Sequence, residues 1–326
     1  MNDDAIKSFH VFWDDDASHE WIIKTSGSTG NQKEIILHKQ WMKWSAMNTA
    51  KFLSVNTSDK ILCCLPLNKV GGIMQLVRAK VWGVDIEIAE PGLNPLLKDT
   101  NATVCSFTPQ QLHYILNEKE SRLRFNKLKK VLIGGADINP RLLNELKSEE
   151  YDGVSIFHTY GMTETYSHIA YKEIKKDGYF TCFDEVSIRQ GESGEAVLNV
   201  PFYNQELVTT DLVNCLSSRE FEVLGRLDFV INTGGLKFHP EWIESLIYKE
   251  MNLKENMAIS SKKDEVLGNK IVLVHDSKIN LTTDDLYFLK KINPYIVPKE
   301  IICIDEIPMN EGGKVDRLKI NKLINE

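Results

Sequence analysis

Short apolar runs alternate with helical patterns between residues 60 and 154, and this alternation restricts the fold more than any other feature. Four runs have the length and composition of buried strands, at residues 61–65, 84–89, 103–107 and 130–133. Helical patterns cover residues 72–82, 109–117 and 140–147, and two of them begin with a proline, which suits a first helical turn. The order predicts parallel βαβ units, whose ligands tend to bind at the carboxyl ends of the strands.

The pattern changes after residue 171. Short strand candidates at 185–189, 196–200 and 220–224 alternate with polar or glycine-rich turns, which indicates a small β-rich segment. From residue 240 the predicted order is helix, strand, strand, helix, strand, which could form an α+β unit of its own. We therefore predict an α/β fold with an N-terminal domain at residues 1–227 and a small, mobile α+β domain at 228–326.

The charge balance argues against broad binding of polyanions. The chain has 39 Lys and Arg against 46 Asp and Glu, a net charge of -7, so neither nucleic acid nor a membrane surface is an expected partner. The first residues are acidic and polar, unlike a signal peptide, and no apolar run approaches membrane-spanning length, so we expect a cytoplasmic protein. A homo-oligomer is compatible with the sequence.

A loop rich in hydroxyl groups follows a strand-like run near the N-terminus. Its residues are Thr25, Ser26, Gly27, Ser28, Thr29, Gly30, Asn31, Gln32 and Lys33. Glycine lets the backbone approach a ligand closely, while hydroxyls, N–H groups and an ammonium supply donors for phosphate oxygens. A solvent-exposed turn is the plainer interpretation, but core-like runs on both sides favour a phosphate site. The Walker signature is absent, which disfavours a P-loop kinase or GTPase.

A second motif follows a predicted strand and consists of Tyr160, Gly161, Met162, Thr163, Glu164 and Thr165. An aromatic face suits a purine, and a carboxylate suits Mg²⁺. Together the two motifs resemble the signatures of the adenylate-forming superfamily, which includes acyl-CoA synthetases, luciferases and peptide-synthetase adenylation domains. The resemblance implies that Tyr160 packs on adenine, Thr163 contacts phosphate and Glu164 holds Mg²⁺.

Five further segments match that superfamily in the same order. The resemblance implies that the backbone of Gly134, Gly135 and Ala136 lines the adenine pocket and that Asp211 and Arg226 bind ribose. It further implies that Asp228 is a hinge and that the loop of Gly234 and Gly235 lines the pantetheine tunnel. Lys314 would be the adenylation catalyst. A lysine suits this task because its ammonium can offset charge growing between a carboxylate and the α-phosphate. Alternatively, Arg226 and Asp228 form a surface ion pair worth under about 1 kcal/mol.

The segment from Leu65 to Gly83 resembles that of o-succinylbenzoate CoA ligases of menaquinone biosynthesis, in which an arginine follows a glycine by six residues, as Arg78 follows Gly72 here. An arginine on an apolar helix is costly unless paired. Its partner is either a second substrate carboxylate or an internal Asp or Glu, and the sequence leaves both open. His158 precedes the second motif and is a candidate substrate contact.

The resemblance implies an ATP-dependent acid:CoA ligase that uses Mg²⁺ and CoA, with o-succinylbenzoate as the expected acid. Only 24 residues precede the loop at Thr25, so we expect a shortened N-terminal domain. Three alternatives stay open: another aryl- or acyl-CoA ligase, an adenylation enzyme that charges a carrier protein, and a non-catalytic adenylate-binding protein.

Overall fold

The computed structural model describes residues 2–26, 32–176, 178–251, 253, 256–276, 281–309 and 315–325. In chain order the elements are α1 (Asn2–Asp14), β1 (Glu20–Ser26), β2 (Gln32–His38), α2 (Lys39–Leu53), β3 (Lys60–Cys63), α3 (Val70–Trp82), β4 (Asp85–Ile88), β5 (Val104–Phe107), α4 (Pro109–Asn117), α5 (Lys119–Phe125), β6 (Lys130–Ile133), α6 (Pro140–Leu146), β7 (Ser155–Met162), β8 (Ser167–Glu173), β9 (Phe180–Cys182), β10 (Ser187–Gln190), β11 (Glu195–Asn199), β12 (Leu207–Cys215), β13 (Glu220–Arg226), β14 (Ile231–Thr233), β15 (Leu236–Phe238), α7 (Pro240–Met251), β16 (Met257–Asp264), β17 (Gly268–Asp276), β18 (Glu300–Ile304) and α8 (Arg317–Asn325).

By its contacts the chain divides into two compact units. The first unit comprises Met1–Asp137, Leu146–Val186 and Val200–Asn204, and the second comprises Ile138–Glu145, Ser187–Asn199 and Gln205–Glu326. The domain boundary predicted between residues 227 and 228 lies within the second unit in this division. That boundary stays a prediction.

The first unit contains strands in the order β9-β8-β7-β6-β5-β3-β4. Strands β7, β6, β5, β3 and β4 run parallel, while β8 and β9 pair antiparallel. The predicted parallel βαβ units are confirmed, and each predicted strand lies within two residues of its observed bounds. Helix α4 begins where expected, because Thr108 caps it and Pro109 opens it.

The second unit contains an antiparallel run in the order β10-β11-β12-β13, the hairpin β14-β15 and the three-stranded sheet β16-β17-β18. Helices α7 and α8 pack on the last of these sheets. The α+β pattern predicted after residue 240 is present, although the second of the two helices expected there is a 3₁₀ helix at Asp284–Lys291. The predicted α/β fold class is confirmed. Among the described residues, no helix has the length and apolar character needed to cross a membrane.

Candidate active site

The hydroxyl-rich loop connects two strands, β1 and β2, that pair antiparallel. Thr25 and Ser26 are the last residues of β1, and Thr25 pairs with Lys33 at the start of β2. Lys33 is exposed. The remaining predicted donors of this loop, Gly27, Ser28, Thr29 and Gly30, lie outside the described residues. The strand-like run before the loop and the apolar run after it are therefore paired antiparallel strands.

The second motif spans the end of β7 and one turn of 3₁₀ helix at Thr163–Thr165. The Thr165 hydroxyl accepts a hydrogen bond from the Met162 N–H at 2.9 Å and lies 2.7 Å from the Ser167 carbonyl oxygen. A Cβ atom at Gly161 would lie 2.0 Å from that same oxygen. Only glycine fits at this position, and the motif thus closes into a tight turn with Thr163 and Glu164 at its bend.

The Glu164 carboxylate is half-buried and forms no ion pair or hydrogen bond within the described part of the chain. Its backbone carbonyl accepts a hydrogen bond from the Tyr203 hydroxyl at 3.0 Å, and burial together with Glu164 raises the pKa of Tyr203. The described residues contain no cluster of three metal-ligating side chains. A single carboxylate without another partner among the described residues fits Mg²⁺, which is typically coordinated by one or two carboxylates together with substrate phosphates and water.

The predicted adenine segment lies beside β7. The Gly134 N–H donates to the Phe107 carbonyl at 3.1 Å, and a Cβ at Gly134 would lie 2.8 Å from the Thr159 hydroxyl. Gly135 has a φ of +84°, a conformation that favours glycine. These constraints explain the two glycines before Ala136 as requirements of a close turn.

His158 and Tyr160 occupy alternate positions on β7 and are both buried. Their rings lie 4.9 Å and 6.0 Å from the ring of Phe180. Burial lowers the pKa of His158 to about 4; Asp137 and a hydrogen bond to the Ala136 backbone oppose this, and Lys172 adds to it. His158 is therefore neutral at pH 7 and is joined to the segment predicted to bind adenine.

The predicted ribose residues lie on the paired strands β12 and β13, where Asp211 faces Arg226. One guanidinium nitrogen of Arg226 donates to Asp211 at 3.0 Å, and the other donates to Asp228 at 2.8 Å. The Arg226–Asp228 ion pair offered by the plainer interpretation is present, and Asp211 shares the same arginine. The second unit thus brings three of the predicted site residues together.

Gly234 and Gly235 form a two-residue turn between β14 and β15. Both have positive φ values, +56° and +80°, as a tight hairpin turn of this kind requires. Lys314 lies outside the described residues. The residues that flank it are held, because Met309 and Val315 form a β-bridge and the Asp316 N–H donates to the Pro308 carbonyl at 2.8 Å.

Arg78 lies on α3 and is 2% exposed. Its Nη2 donates to the Ser167 hydroxyl at 2.8 Å and to the His168 Nδ1 at 3.3 Å, whereas its buried Nε has no acceptor. No Asp or Glu of the described ranges pairs with it. Burial lowers the pKa of Arg78 to about 10, so it stays charged at pH 7. The internal ion pair that the sequence left open is therefore not found among these residues.

Sequence reasoning missed Ser167, His168 and Tyr203 as neighbours of predicted site residues. Ser167 and His168 lie two and three residues after the end of the second motif, and this closeness in sequence was the one available signal. Their contact with Arg78 joins positions 89 and 90 residues apart in the chain. A single sequence does not reveal such a contact.

Curated relatives named 2-succinylbenzoate--CoA ligase include the following two. The protein of Listeria monocytogenes is 24% identical over 330 residues, covering 92% of this chain and 69% of the relative. The protein of Bacillus cereus is 26% identical over 342 residues, covering 94% and 70%. This chain is therefore similar to about seven tenths of each relative.

Solved structures share the fold. An acyl-CoA synthetase (AMP-forming)/AMP-acid ligase II-like protein from Dyadobacter fermentans is 27% identical with a TM-score of 0.62, covering 97% of this chain and 91% of its own. The o-succinylbenzoate CoA synthetase of Bacillus subtilis, solved with its acyl-adenylate intermediate, is 22% identical with a TM-score of 0.77, covering 92% and 68%. The second likeness shows the fold alone.

The family described as AMP-binding enzyme matches residues 14–197, more than half of the 326 residues. This match covers the hydroxyl-rich loop and the motif from Tyr160 to Thr165. The chain therefore belongs to the family of AMP-binding enzymes.

Proposed function

We propose that this enzyme is an acid:CoA ligase that converts a dicarboxylic aromatic acid, most simply o-succinylbenzoate, to its acyl-adenylate and then to its CoA thioester. Membership of the AMP-binding family supports the adenylation step, and the names of the two curated relatives support the acid and the thiol. The observation on which the choice of acid rests is Arg78, a buried guanidinium without a carboxylate partner among the described residues.

The case for a second substrate carboxylate follows from the cost of burying charge. A guanidinium taken out of water is expensive unless a carboxylate offsets it, and removal of the partner of a buried ion typically costs several kcal/mol, about 3–5. Arg78 is held by one hydroxyl and one imidazole nitrogen, both neutral at pH 7, and its Nε–H is unused. A carboxylate supplied by the substrate would complete the donors and neutralise the charge.

The proposed mechanism assigns separate tasks to the chain's own residues. The Glu164 carboxylate would hold Mg²⁺, which when bound offsets charge on the phosphate oxygens of ATP. Lys33 and the hydroxyls of Thr25 and Ser26 would orient those phosphates, and Asp211 with Arg226 would bind the ribose. Lys314 would stabilise charge as the acid attacks the α-phosphate and pyrophosphate leaves. Asp228 as a hinge, and Gly234 with Gly235 as the pantetheine loop, stay predictions.

The test is a substrate panel with purified protein, ATP, Mg²⁺ and CoA. The panel contains o-succinylbenzoate, benzoate, fatty acids, amino acids and two monocarboxylate analogues, 4-oxo-4-phenylbutanoate and 2-butanoylbenzoate, each of which lacks one of the two carboxylates. Mass spectrometry follows AMP, adenylate and thioester. Selective formation of o-succinylbenzoyl-CoA supports the proposal. Preference for a monocarboxylate would contradict the assigned acid.

Two other outcomes separate the remaining candidates. An adenylate without a CoA thioester would favour an enzyme that charges a carrier protein. Nucleotide binding without turnover would favour a non-catalytic adenylate-binding protein. The uncommitted Glu164 carboxylate argues against the latter, since a protein that only binds adenylate has no need of a metal ligand.

Lys314→Ala tests the assignment of the catalytic lysine. We expect adenylate formation to fall by at least about 100-fold, because a preorganised charge that stabilises the transition state is removed. Thioester formation from supplied acyl-AMP should stay within a few-fold of the wild type. Lys322→Ala, on α8, is the matched control. Equal loss of both half-reactions in Lys314→Ala would contradict the assignment.

A further inference from the structure

We infer that His168 is a positioning residue that, with Ser167, fixes the Arg78 guanidinium for a second carboxylate of the acid. This inference rests on the proposed function and extends it to residues that no motif of the family singled out. It follows from a continuous chain of hydrogen bonds in the first unit, from the direction of each bond, and from an irregular backbone that brings two consecutive side chains to one guanidinium.

The hydrogen-bond chain fixes the tautomer of His168. The Thr49 hydroxyl donates its hydrogen to the Ser45 carbonyl at 2.8 Å, so toward His168 Nε2, at 2.9 Å, it can only accept. Nε2 therefore bears the hydrogen, and Nδ1 is left with a lone pair. That lone pair accepts from Arg78 Nη2 at 3.3 Å. A neutral imidazole with this tautomer is the form that an arginine, which has no acceptor, can bind.

The surroundings keep the imidazole neutral. His168 is 6% exposed and lies edge-on to the rings of Phe52 and Phe183, at 5.8 Å and 5.6 Å. Burial first, and the positive charge of Arg78 second, hold the pKa of His168 well below its usual range. The ring therefore faces Arg78 as an acceptor at physiological pH and does not repel it.

An irregular backbone lets neighbouring residues share one guanidinium. Side chains of consecutive strand residues normally point to opposite faces. Here Tyr166 and Ser167 have φ values of +57° and +94°, outside the region that most residues adopt. The pairing of β7 with β8 also shifts register at Tyr160 and Gly161. As a result the Ser167 hydroxyl and the His168 ring both reach Nη2 of Arg78.

Contacts around this turn hold it in place. The Tyr166 carbonyl accepts from the Ser45 hydroxyl at 3.1 Å, and the Ser167 carbonyl lies 2.7 Å from the Thr165 hydroxyl. Gly161 leaves room for that same carbonyl. Two residues of the motif assigned to the nucleotide thus shape the turn that holds Arg78. A left-handed conformation at two successive non-glycine residues is strained, and such strain is typical of functional sites.

The experiment uses substitutions of His168 that each replace one of its two ring nitrogens. The amide of His168→Asn places an acceptor near the position of Nδ1, whereas that of His168→Gln reaches toward Nε2 and leaves Arg78 without its acceptor. His168→Phe keeps the aromatic packing and removes both. The readout is the ratio of kcat/KM for o-succinylbenzoate to kcat/KM for each monocarboxylate analogue, with KM and kcat resolved.

We expect the ratio in His168→Asn to stay within about threefold of the wild type. In His168→Gln and His168→Phe it should fall about tenfold, the value of one hydrogen bond to a charged group, mainly through a higher KM for the diacid. Ser167→Ala should lower the ratio in the same direction. Equal ratios in all variants, or an Asn variant as impaired as Gln, would overturn the inference.

A second measurement does not depend on turnover. In protein labelled with ¹⁵N-histidine, NMR at pH 7 should show His168 with hydrogen on Nε2 only, and Arg78→Met should shift the Nδ1 resonance. Hydrogen on Nδ1, or no response to Arg78→Met, would overturn the inference whatever the activity. A wild type that forms thioesters only from monocarboxylates would refute the proposed acid while leaving this geometry to be judged by the NMR result.

Discussion

Two arginines, the buried Arg78 in the first unit and the largely buried Arg317 in the second, satisfy their charges in different ways. Arg317, at the start of α8, is bound by two carboxylates: its Nη2 lies 2.7 Å from Glu244 and its Nε lies 3.1 Å from Glu241. Its guanidinium also lies 5.8 Å from the ring of Phe229. Arg78, on α3, has the neutral acceptors Ser167 and His168 and no carboxylate partner among the residues that the structure describes.

The difference appears in the pKa values. Burial opposes the charge of Arg317, but Glu244 and then Glu241 outweigh it and raise its pKa. Burial of Arg78 is not opposed by a carboxylate, and its pKa falls to about 10. A buried arginine bound by the protein's own carboxylates stabilises local structure. One that lacks them costs stability, which is expected where a ligand supplies the partner.

The largest effect should come from Arg317→Met. Removing this guanidinium leaves Glu241 and Glu244 close together without their cation, so we expect the free energy of unfolding to fall by about 3–5 kcal/mol. Urea denaturation followed by circular dichroism measures this change. Arg189→Met, which breaks the exposed Arg189–Glu206 pair of the same unit, is the control and should have a much smaller effect.

An equally small loss in Arg317→Met and Arg189→Met would break the comparison. It would mean that the glutamates are well solvated without Arg317 and that burial of this cluster does not matter energetically. If Arg317→Met lowered the rate of adenylation and left the free energy of unfolding unchanged, Arg317 would instead have a role in adenylation, together with Lys314 three residues earlier in the sequence.

Arg78→Met should change the free energy of unfolding in the opposite direction to Arg317→Met. We expect the free energy of unfolding to rise by about 1–2 kcal/mol, because an unpaired buried charge is replaced by an apolar side chain of similar length. The two former acceptors can satisfy each other, since the Ser167 hydroxyl lies 3.3 Å from His168 Nδ1. At the same time the preference for o-succinylbenzoate over its monocarboxylate analogues should be lost.

The same denaturation and substrate assays measure both consequences of Arg78→Met. Arg122→Met, on α5 of the same unit, is the control for loss of a positive charge near the surface. A destabilised Arg78→Met with unchanged acid preference would show that Arg78 is a structural residue. An Arg78→Met variant that is more stable and no longer prefers o-succinylbenzoate would show that Arg78, unlike Arg317, serves the substrate at a cost in stability.

The elements of the first unit could be predicted because their signals are local. Strands β3 and β6 were predicted from the apolar runs at 61–65 and 130–133, and the start of α4 was predicted from Pro109. The motif from Tyr160 to Thr165 was also visible, since its residues are consecutive. Predictions that depend on neighbours along the chain were therefore confirmed to within two residues for these strands.

The surroundings of the two arginines could not be predicted, because they depend on contacts between distant residues. Arg78 was singled out as an arginine on an apolar helix, yet its neighbours lie on β8. They are oriented by positive φ values at residues that are not glycine, and such values cannot be predicted from those residue types. Arg317 lies three residues after Lys314, and the sequence assigned it no role of its own. Its partner Glu244 lies 73 residues earlier in the chain. Periodicity and propensity carry no information on such pairs.

The smallest effect should be a difference in pH dependence between the wild type and Arg78→Met. In the native state the pKa of His168 is held well below the usual value by burial and by Arg78. Between the native pKa and the unfolded value of about 6.5, the unfolded chain binds a proton that the native protein excludes. The stability associated with neutral His168 is therefore complete above about pH 6.5 and is lost as the pH falls toward the native pKa.

Arg78→Met removes the second cause of that shift and leaves the first, burial, in place. We therefore expect the free energy of unfolding to decline less steeply between pH 7.5 and pH 5.5 in Arg78→Met than in the wild type, with His168→Asn, which cannot titrate, declining less steeply still. The buried His158, whose pKa is about 4, contributes the same slope to all three proteins and cancels in the differences. Parallel curves for the wild type and Arg78→Met, both steeper than that of His168→Asn, would show that burial alone lowers the pKa of His168 and that Arg78 does not contribute.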